Sequence, residues 1–344
     1  MMVGSEKVLD ILNIIELPSS NLIIFCNFSK YIYPLNHRKS KSDFIEIFMS
    51  DDFVKSIPGV KCEMRLGKGH FSHVYKGSYE GHSPVTIKII ERGGAHEIQR
   101  EIDLLKRIKG CPNTINLVDT FLHQGHTVLI IDFVEAISLN RFYKKVQIKN
   151  MQNILHDLFE TLNAVHARQV VHRDITANNV LIHPKFNKAC LIDWGCGSIV
   201  SSRMRPNAGT RPFRSPEMLM NSISYDTSCD IWSAGIYIWS ILCGMTVPWR
   251  AKTADQTLIN ISEYFGADEL LQLSEKISRP IAGSIQAQFS QSPTKTLEQD
   301  FISKMGRLQH PLLIDLMKSL LKIDPDERPT AEEVLNHPFF SEKL

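Results

Sequence analysis

Three things are scarce in this chain, and each absence removes a class of protein. No apolar run approaches the roughly 18 residues of a membrane span, and Leu22 to Phe25 is too short and too late for a signal-peptide core. The seven cysteines (26, 62, 111, 190, 196, 229 and 243) form no C-x-x-C pair and no other ligand spacing. That argues against a zinc module or a disulfide scaffold and for buried free thiols. Excess charge is missing too: 39 Lys and Arg face 37 Asp and Glu, a net +2. Such a balance points to neither a nucleic-acid-binding nor a membrane-binding surface. Internal repeats are absent. What is present is ordinary globular usage, 43% hydrophobic and 22% charged over 344 residues, a length that suits about two domains. The expectation is a soluble intracellular protein.

The chemistry is concentrated between Val171 and Glu217. That stretch holds His172-Arg173-Asp174, then Asn179, then Asp193-Trp194-Gly195, and closes on Ser215-Pro216-Glu217. Phosphoryl transfer from ATP to a protein hydroxyl needs those parts in that order. Asp174 is placed to accept the proton of the acceptor hydroxyl. Asn179 and Asp193, fourteen residues apart, are placed to hold magnesium against the ATP phosphates. A lone His-Arg-Asp arises by chance; this company does not.

Upstream, residues 1–51 are the least informative. Val8 to Leu17 could form an amphipathic helix, and His37-Arg38-Lys39-Ser40-Lys41 reads as a solvated basic loop or a nuclear address. From Val60 the pattern sharpens. Lys61 to Leu66 and His73 to Ser78 read as strands around Gly67-Lys68-Gly69-His70-Phe71-Ser72-His73-Val74, a glycine-bearing turn whose backbone can close over phosphates. Val85-Thr86-Ile87-Lys88 follows, so Lys88 is expected to grip the α- and β-phosphates. That lysine needs a carboxylate. Ala95 to Ile108 is helical by period, with Ile98, Ile102, Leu105 and Ile108 on one stripe. Glu97 and Glu101 share a face of that helix, and Glu101, thirteen residues after Lys88 and opening Glu-Ile-x-x-Leu-Leu, is the expected partner.

Thr127 to Phe133 reads as a buried strand running into the less apolar Val134-Glu135-Ala136. Here adenine is expected, with Ile131 at the back of the pocket, Leu181 against the ring, and the backbone of Asp132 and Val134 making its hydrogen bonds. Met151 to His166 is a helix whose Leu155, Leu158, Phe159, Leu162 and Val165 are core. Asp226 to Cys243 is a buried helix, so its Asp230 must satisfy its lone pairs, with the catalytic-loop backbone as expected partner. Leu312 to Leu321 and Thr330 to Leu335 are further helices around Asp324-Pro325-Asp326-Glu327-Arg328-Pro329. Arg328 is the expected ion-pair partner of Glu217. Gly283 to Thr296 reads as an exposed loop insertion.

From about residue 52 onward the chain resembles a eukaryotic protein kinase. The resemblance implies an α+β bilobal fold, with a small β-rich N-lobe over residues 52–135 that carries one key helix. A larger, mainly helical C-lobe covers residues 136–344. It also implies ATP and Mg2+ as cofactors. Within that superfamily the chain is similar to the cell-division-cycle serine/threonine kinases that fire replication origins. The residues that carry this likeness are Gly67 to Gly77, Ala208-Gly209-Thr210-Arg211-Pro212-Phe213-Arg214-Ser215-Pro216-Glu217, Asp230 to Ile236, and Ile261-x-x-Tyr264-Phe265-Gly266. That likeness implies a nuclear protein acting on the replicative helicase, with an activating subunit. Casein kinase two also carries Asp-Trp-Gly and is the nearest competitor, although its basic run after the lysine strand is absent here. Thr176 stands where such enzymes place a lysine for the γ-phosphate, and Thr86 replaces the usual alanine above adenine.

Three readings follow: an active serine/threonine kinase, a pseudokinase scaffold suggested by Thr176, and a small-molecule kinase. The first is preferred because Lys88, Glu101, Asp174, Asn179 and Asp193 are all kept. Ser215-Pro216-Glu217 with Arg328 argues for a peptide platform and against the third. Arg203, Arg205, Arg211 and Arg214 fall within twelve residues, so a substrate with an acidic or phosphorylated residue beyond its hydroxyl is expected. Thr210, Arg211 and Arg214 are the candidate substrate contacts, with at least two of the four arginines expected to be solvated or paired internally. The Thr210 hydroxyl is expected to be used inside the fold, which leaves Ser198, Ser201 and Ser202 between Gly195 and Thr210. With the flexible Gly93-Gly94 before the Glu101 helix, this favours control by a partner that docks the helix over loop phosphorylation.

Overall fold

A computed structural model describes residues 51–68 and 72–343. The helix expected at 8–17, the basic cluster at 37–41, and Gly69, His70 and Phe71 lie outside the described residues.

A short helix α1 (Asp51–Lys55) leads into an antiparallel sheet of β1 (Val60–Lys68), β2 (Ser72–Tyr79), β3 (His82–Ile90), β4 (Leu117–His123) and β5 (His126–Asp132), in the order β1-β2-β3-β5-β4. Helix α2 (Ala95–Arg107) crosses between β3 and β4. The alternation of the strands sorts their side chains between two faces. Val85, Ile87, Ile89, Val128 and Ile130 pack with Tyr75, Tyr79 and α1 on the outer face. Leu129, Ile131 and the α2 residues Ile102, Leu104 and Leu105 join the core that continues into the helical half.

The chain leaves the sheet at Asp132, runs without regular structure through 133–138, and enters α3 (Leu139–Lys145). The lobe boundary expected at 135/136 falls in that link. Helix α4 (Ile148–His166) follows, with Met151, Ile154, Leu155, Leu158, Phe159, Leu162 and Val165 all buried. These are the positions the helical period selects. Short strands β6 (Val170–Val171), β7 (Val180–Ile182), β8 (Ala189–Leu191) and β9 (Ser198–Ile199) shape the loops above α4. After α5 (Pro216–Leu219) comes α6 (Ser228–Leu242), buried from Cys229 to its end. Helices α7 (Ala254–Phe265), α8 (Ala267–Lys276), α9 (Gly283–Gln286), α10 (Leu297–Met305), α11 (Pro311–Leu320), α12 (Ala331–Leu335) and α13 (Pro338–Ser341) complete the larger half.

The expected loop insertion at 283–296 is partly anchored. It contains α9, buries Phe289, and donates from the backbone of Thr294 and Lys295 to the Glu263 carbonyl. Among the described residues no helix is long and apolar enough to cross a membrane, and the described cysteines are all free thiols.

Candidate active site

Lys88 projects from the C-terminal part of β3. Its Nζ lies 2.6 Å from Glu101 Oε1 and 3.0 Å from Asp193 Oδ1. Burial opposes the lysine's charge, but Asp193 and Glu101 outweigh it and hold the ammonium far above its ordinary value. Burial likewise opposes ionisation of Asp193, and Lys88 overcomes it, so the carboxyl is held below its ordinary value. The partner of Lys88 is Glu101, as expected; Glu97 points elsewhere, to Arg205 at 2.8 Å. Asp193 takes the left-handed conformation at φ 62° where the chain enters the single turn 194–196, a region Asp adopts more readily than most side chains.

The catalytic loop is fixed from below by α6. Asp230 accepts from the backbone N–H groups of His172 (2.8 Å) and Arg173 (2.7 Å), and lies 3.0 Å from His166 Nε2. Those contacts satisfy the buried carboxylate as the sequence demanded. His172 Nδ1 accepts from the Asp174 N–H at 3.2 Å, which makes Nε2, 3.0 Å from the Ile192 carbonyl, the protonated nitrogen. Trp194 packs edge-on to that imidazole and donates its Nε1–H to Thr114 Oγ1 at 3.2 Å.

Asp174 accepts at Oδ1 from the Thr210 N–H (2.8 Å) and at Oδ2 from Asn179 Nδ2 (3.0 Å). Asn179 Nδ2 also donates to the Asp174 carbonyl at 2.8 Å. Both N–H groups of Asn179 are spent, so its amide oxygen is what it can offer a cation. An amide oxygen and the Asp193 carboxylate are hard donors of the kind magnesium takes. The contact of Thr210 with Asp174 comes from its backbone N–H. Gly209, at φ +73°, is needed to bring it there, because a Cβ on it would lie 1.9 Å from the Arg173 carbonyl oxygen.

The adenine-sized cleft is lined by Ser72, Val74, Thr86, Ile131, Asp132, Val134 and Leu181, all singled out above. Leu66, Ile115, Phe133 and Ile192 also line it and escaped the sequence reading; Ile192 was betrayed only by its place beside Asp193. The N–H of Asp132 is spent on the Asn116 carbonyl at 3.1 Å, so a bond from Asp132 to adenine would use its carbonyl. His73 departs from expectation. Flanked by pocket-lining Ser72 and Val74, it faces the other side of the sheet, buried against Glu91 with Nε2 2.9 Å from Oε1 but without hydrogen-bond alignment. Burial lowers its affinity for a proton more than Glu91 restores it. Gly67 and Lys68 belong to β1 itself, with Gly67 paired to Val74.

Downstream, Arg328 grips Glu217 as a fork, with Nη1–Oε1 and Nη2–Oε2 both 2.8 Å and both side chains buried. The four arginines of 203–214 separate. Arg214 donates to the carbonyls of Gly209 (2.7 Å) and Asn207 (2.9 Å), so it builds the loop and does not face a substrate. Arg205 pairs with Glu97. Arg211 reaches the Lys252 carbonyl at 2.5 Å, beside exposed Arg250 and Lys252, which the sequence reading missed. Arg203 is exposed. Thr176 is buried and its hydroxyl accepts from the Asn178 N–H at 3.3 Å, so that position supplies no cation.

A lysine clamped by two carboxylates, a separate Asp–Asn pair and a buried Glu–Arg fork, all hung between a sheet and a helical half, define a protein kinase. Residues 60–340 match the protein kinase domain family, and the chain belongs to it. That class uses ATP, with Mg2+ as the usual metal, to phosphorylate protein hydroxyl groups. The chain is similar to a probable serine/threonine-protein kinase of Dictyostelium discoideum, 26% identical over 293 residues; these cover 84% of this chain and 48% of that protein, so the chain spans about half of its relative's length. It is also similar to the casein kinase II subunit alpha' of Saccharomyces cerevisiae, 27% identical over 285 residues that cover 81% of this chain and 84% of the relative.

Proposed function

We propose that this chain transfers the γ-phosphate of MgATP to serine or threonine in protein segments that carry acidic or phosphorylated residues just beyond the acceptor. The observation that carries the reading is the joining of Lys88, Glu101 and Asp193 at 2.6 and 3.0 Å. A scaffold has no use for that ionic cluster. In this assignment Lys88 holds the α- and β-phosphates and Glu101 fixes Lys88. Asp193 and Asn179 hold the magnesium, which neutralises phosphate charge when bound. Asp174 orients the hydroxyl and takes its proton, and Ile131, Asp132, Val134 and Leu181 seat the adenine. With Thr176 neutral, Lys88 would carry the phosphate charge together with a metal held by Asp193 and Asn179. A thermal-shift titration tests this: MgATP should raise Tm, metal-free ATP should raise it far less, and Asp193→Asn should remove the difference. Equal shifts with and without metal would favour a nucleotide-binding scaffold.

The acidic preference is supported by the Arg211, Arg250 and Lys252 rim. The second reading, a nuclear kinase that fires replication origins by phosphorylating the replicative helicase, rests on the motif from Ala208 to Glu217. Phosphoproteomics after acute inhibition of an Ile131→Gly variant by a bulky ATP analogue would separate the two by the substrates lost. A regulatory subunit is also proposed, on the name of the yeast relative and on Gly93-Gly94. Helix α2 already meets Lys88 through Glu101 in the single chain, so the proposed partner would hold it there.

A further inference from the structure

Arg173 is buried, at 4% exposure, and all of its partners are neutral. Nε donates to the Cys196 carbonyl (2.7 Å), Nη2 to the Gly197 carbonyl (3.0 Å) and Nη1 to the Tyr225 hydroxyl (3.1 Å). The Tyr225 hydroxyl in turn donates to the Arg205 carbonyl. One guanidinium and one phenol thus tie together the start of the segment after Asp193, its middle at Arg205, and the approach to α6.

From Arg205 the connection runs to α2. Its Nη1 lies 2.8 Å from Glu97 Oε1, and Glu97 Oε2 accepts the Gly94 N–H at 3.2 Å, capping the helix. Arg100 Nη2 adds a longer bond, 3.4 Å, to the Gly195 carbonyl. One turn on from Glu97 stands Glu101, the partner of Lys88. Burial and the nearby Arg173 and Arg205 guanidinium groups disfavour the charge of Arg100, and Glu97 offsets them in part. Such a cluster suits a phosphate on a neighbouring serine. Here the Arg173 donors are already taken by carbonyls and a phenol and Arg205 Nη1 by Glu97, while the buried Nε of Arg100 has no partner among the described residues.

We propose that Tyr225, Arg205 and Glu97 are positioning residues that latch this segment to α2, so that Lys88 and Glu101 stay paired with no phosphate on Ser198, Ser201 or Ser202. The proposal rests on the kinase reading and specifies how the site is kept competent. The Tyr225 link, being buried, carries more than Arg205–Glu97, whose side chains are 66% and 45% exposed and open to screening by salt.

The test uses the full chain, treated with phosphatase and shown by intact mass to carry no phosphate. Two quantities are read: turnover on an acidic serine peptide, and hydrogen exchange over residues 95–107. Dephosphorylation should leave kcat unchanged. Tyr225→Phe should lower kcat about fivefold, the worth of a buried hydrogen bond, with peptide KM unchanged and faster exchange in α2. Arg205→Glu should lower kcat about two- to threefold, more at low salt, and Arg205→Lys should recover it. Loss of most turnover on dephosphorylation would overturn the latch, as would unchanged kcat and exchange in both Tyr225→Phe and Arg205→Glu. Exchange reads the latch without needing transfer. A wild type that never phosphorylates peptide would count against the kinase reading, while the α2 exchange of the variants would still decide the latch.

Discussion

Asp230 sits fully buried in an apolar helix and stays charged. Burial pushes its carboxyl up; His166, His172 and the loop N–H groups pull it further the other way, to below its ordinary 3.8. A folded-state value below the unfolded one adds stability above the unfolded value, and that stability disappears as pH falls through the folded value. Asp230→Asn should therefore lower the urea-unfolding free energy at neutral pH by about 1.5–3 kcal/mol. The gap should begin to narrow as pH drops below 3.8 and close only below the lower folded-state value. A gap that persists unchanged in acid would show that the charge is not the source. Two neighbouring arginines should part company in a second experiment. Arg211→Glu should cut kcat/KM on acidic peptides roughly tenfold, the worth of a charge-assisted contact, and spare neutral ones. Arg214→Glu should depress every peptide alike, because its donors shape the 207–209 loop. Steady-state kinetics on a matched peptide pair reads both.

Among the elements, α6 shows how tightly the site's support is built. A Cβ on Gly235 would lie 2.8 Å from Leu321 Cγ and 3.2 Å from Leu320 Cβ. Overpacking costs about 1–3 kcal/mol, and alanine's helical advantage over glycine returns about 0.8–1.0 kcal/mol. Gly235→Ala should thus be destabilising by a net amount of order 1 kcal/mol, seen as a lower Tm with intact nucleotide affinity. The helices were legible beforehand because their apolar period is strong: α2, α4, α6 and α11 begin and end within three residues of expectation. Lys88, Glu101, Asp193, Asp174 and Asn179 were legible through spacing. What sequence hides is parity and partnership. One step along β2 turns His73 away from the cleft while Ser72 and Val74 face it. Which of Arg205, Arg211 and Arg214 is left for a substrate depends on Glu97, Lys252 and Gly209, which folding brings near.

Taken whole, the molecule is two unlike halves that meet at an ion cluster. The sheet supplies Lys88 and α2 supplies Glu101, while the helical half supplies Asp193, Asp174 and Asn179. Neither half alone holds a complete set. The Glu217–Arg328 fork, buried and bidentate, pins the segment on which a peptide would lie. The account's central claim is that this arrangement moves phosphate to protein hydroxyls with Asp174 as the base. The most direct measurement is turnover of an acidic serine peptide by wild type and Asp174→Asn, each shown by titration to bind MgATP. The account expects equal nucleotide affinity and a turnover lower by about 10²–10⁴ in the variant. A variant that keeps more than half of the wild-type turnover would contradict it.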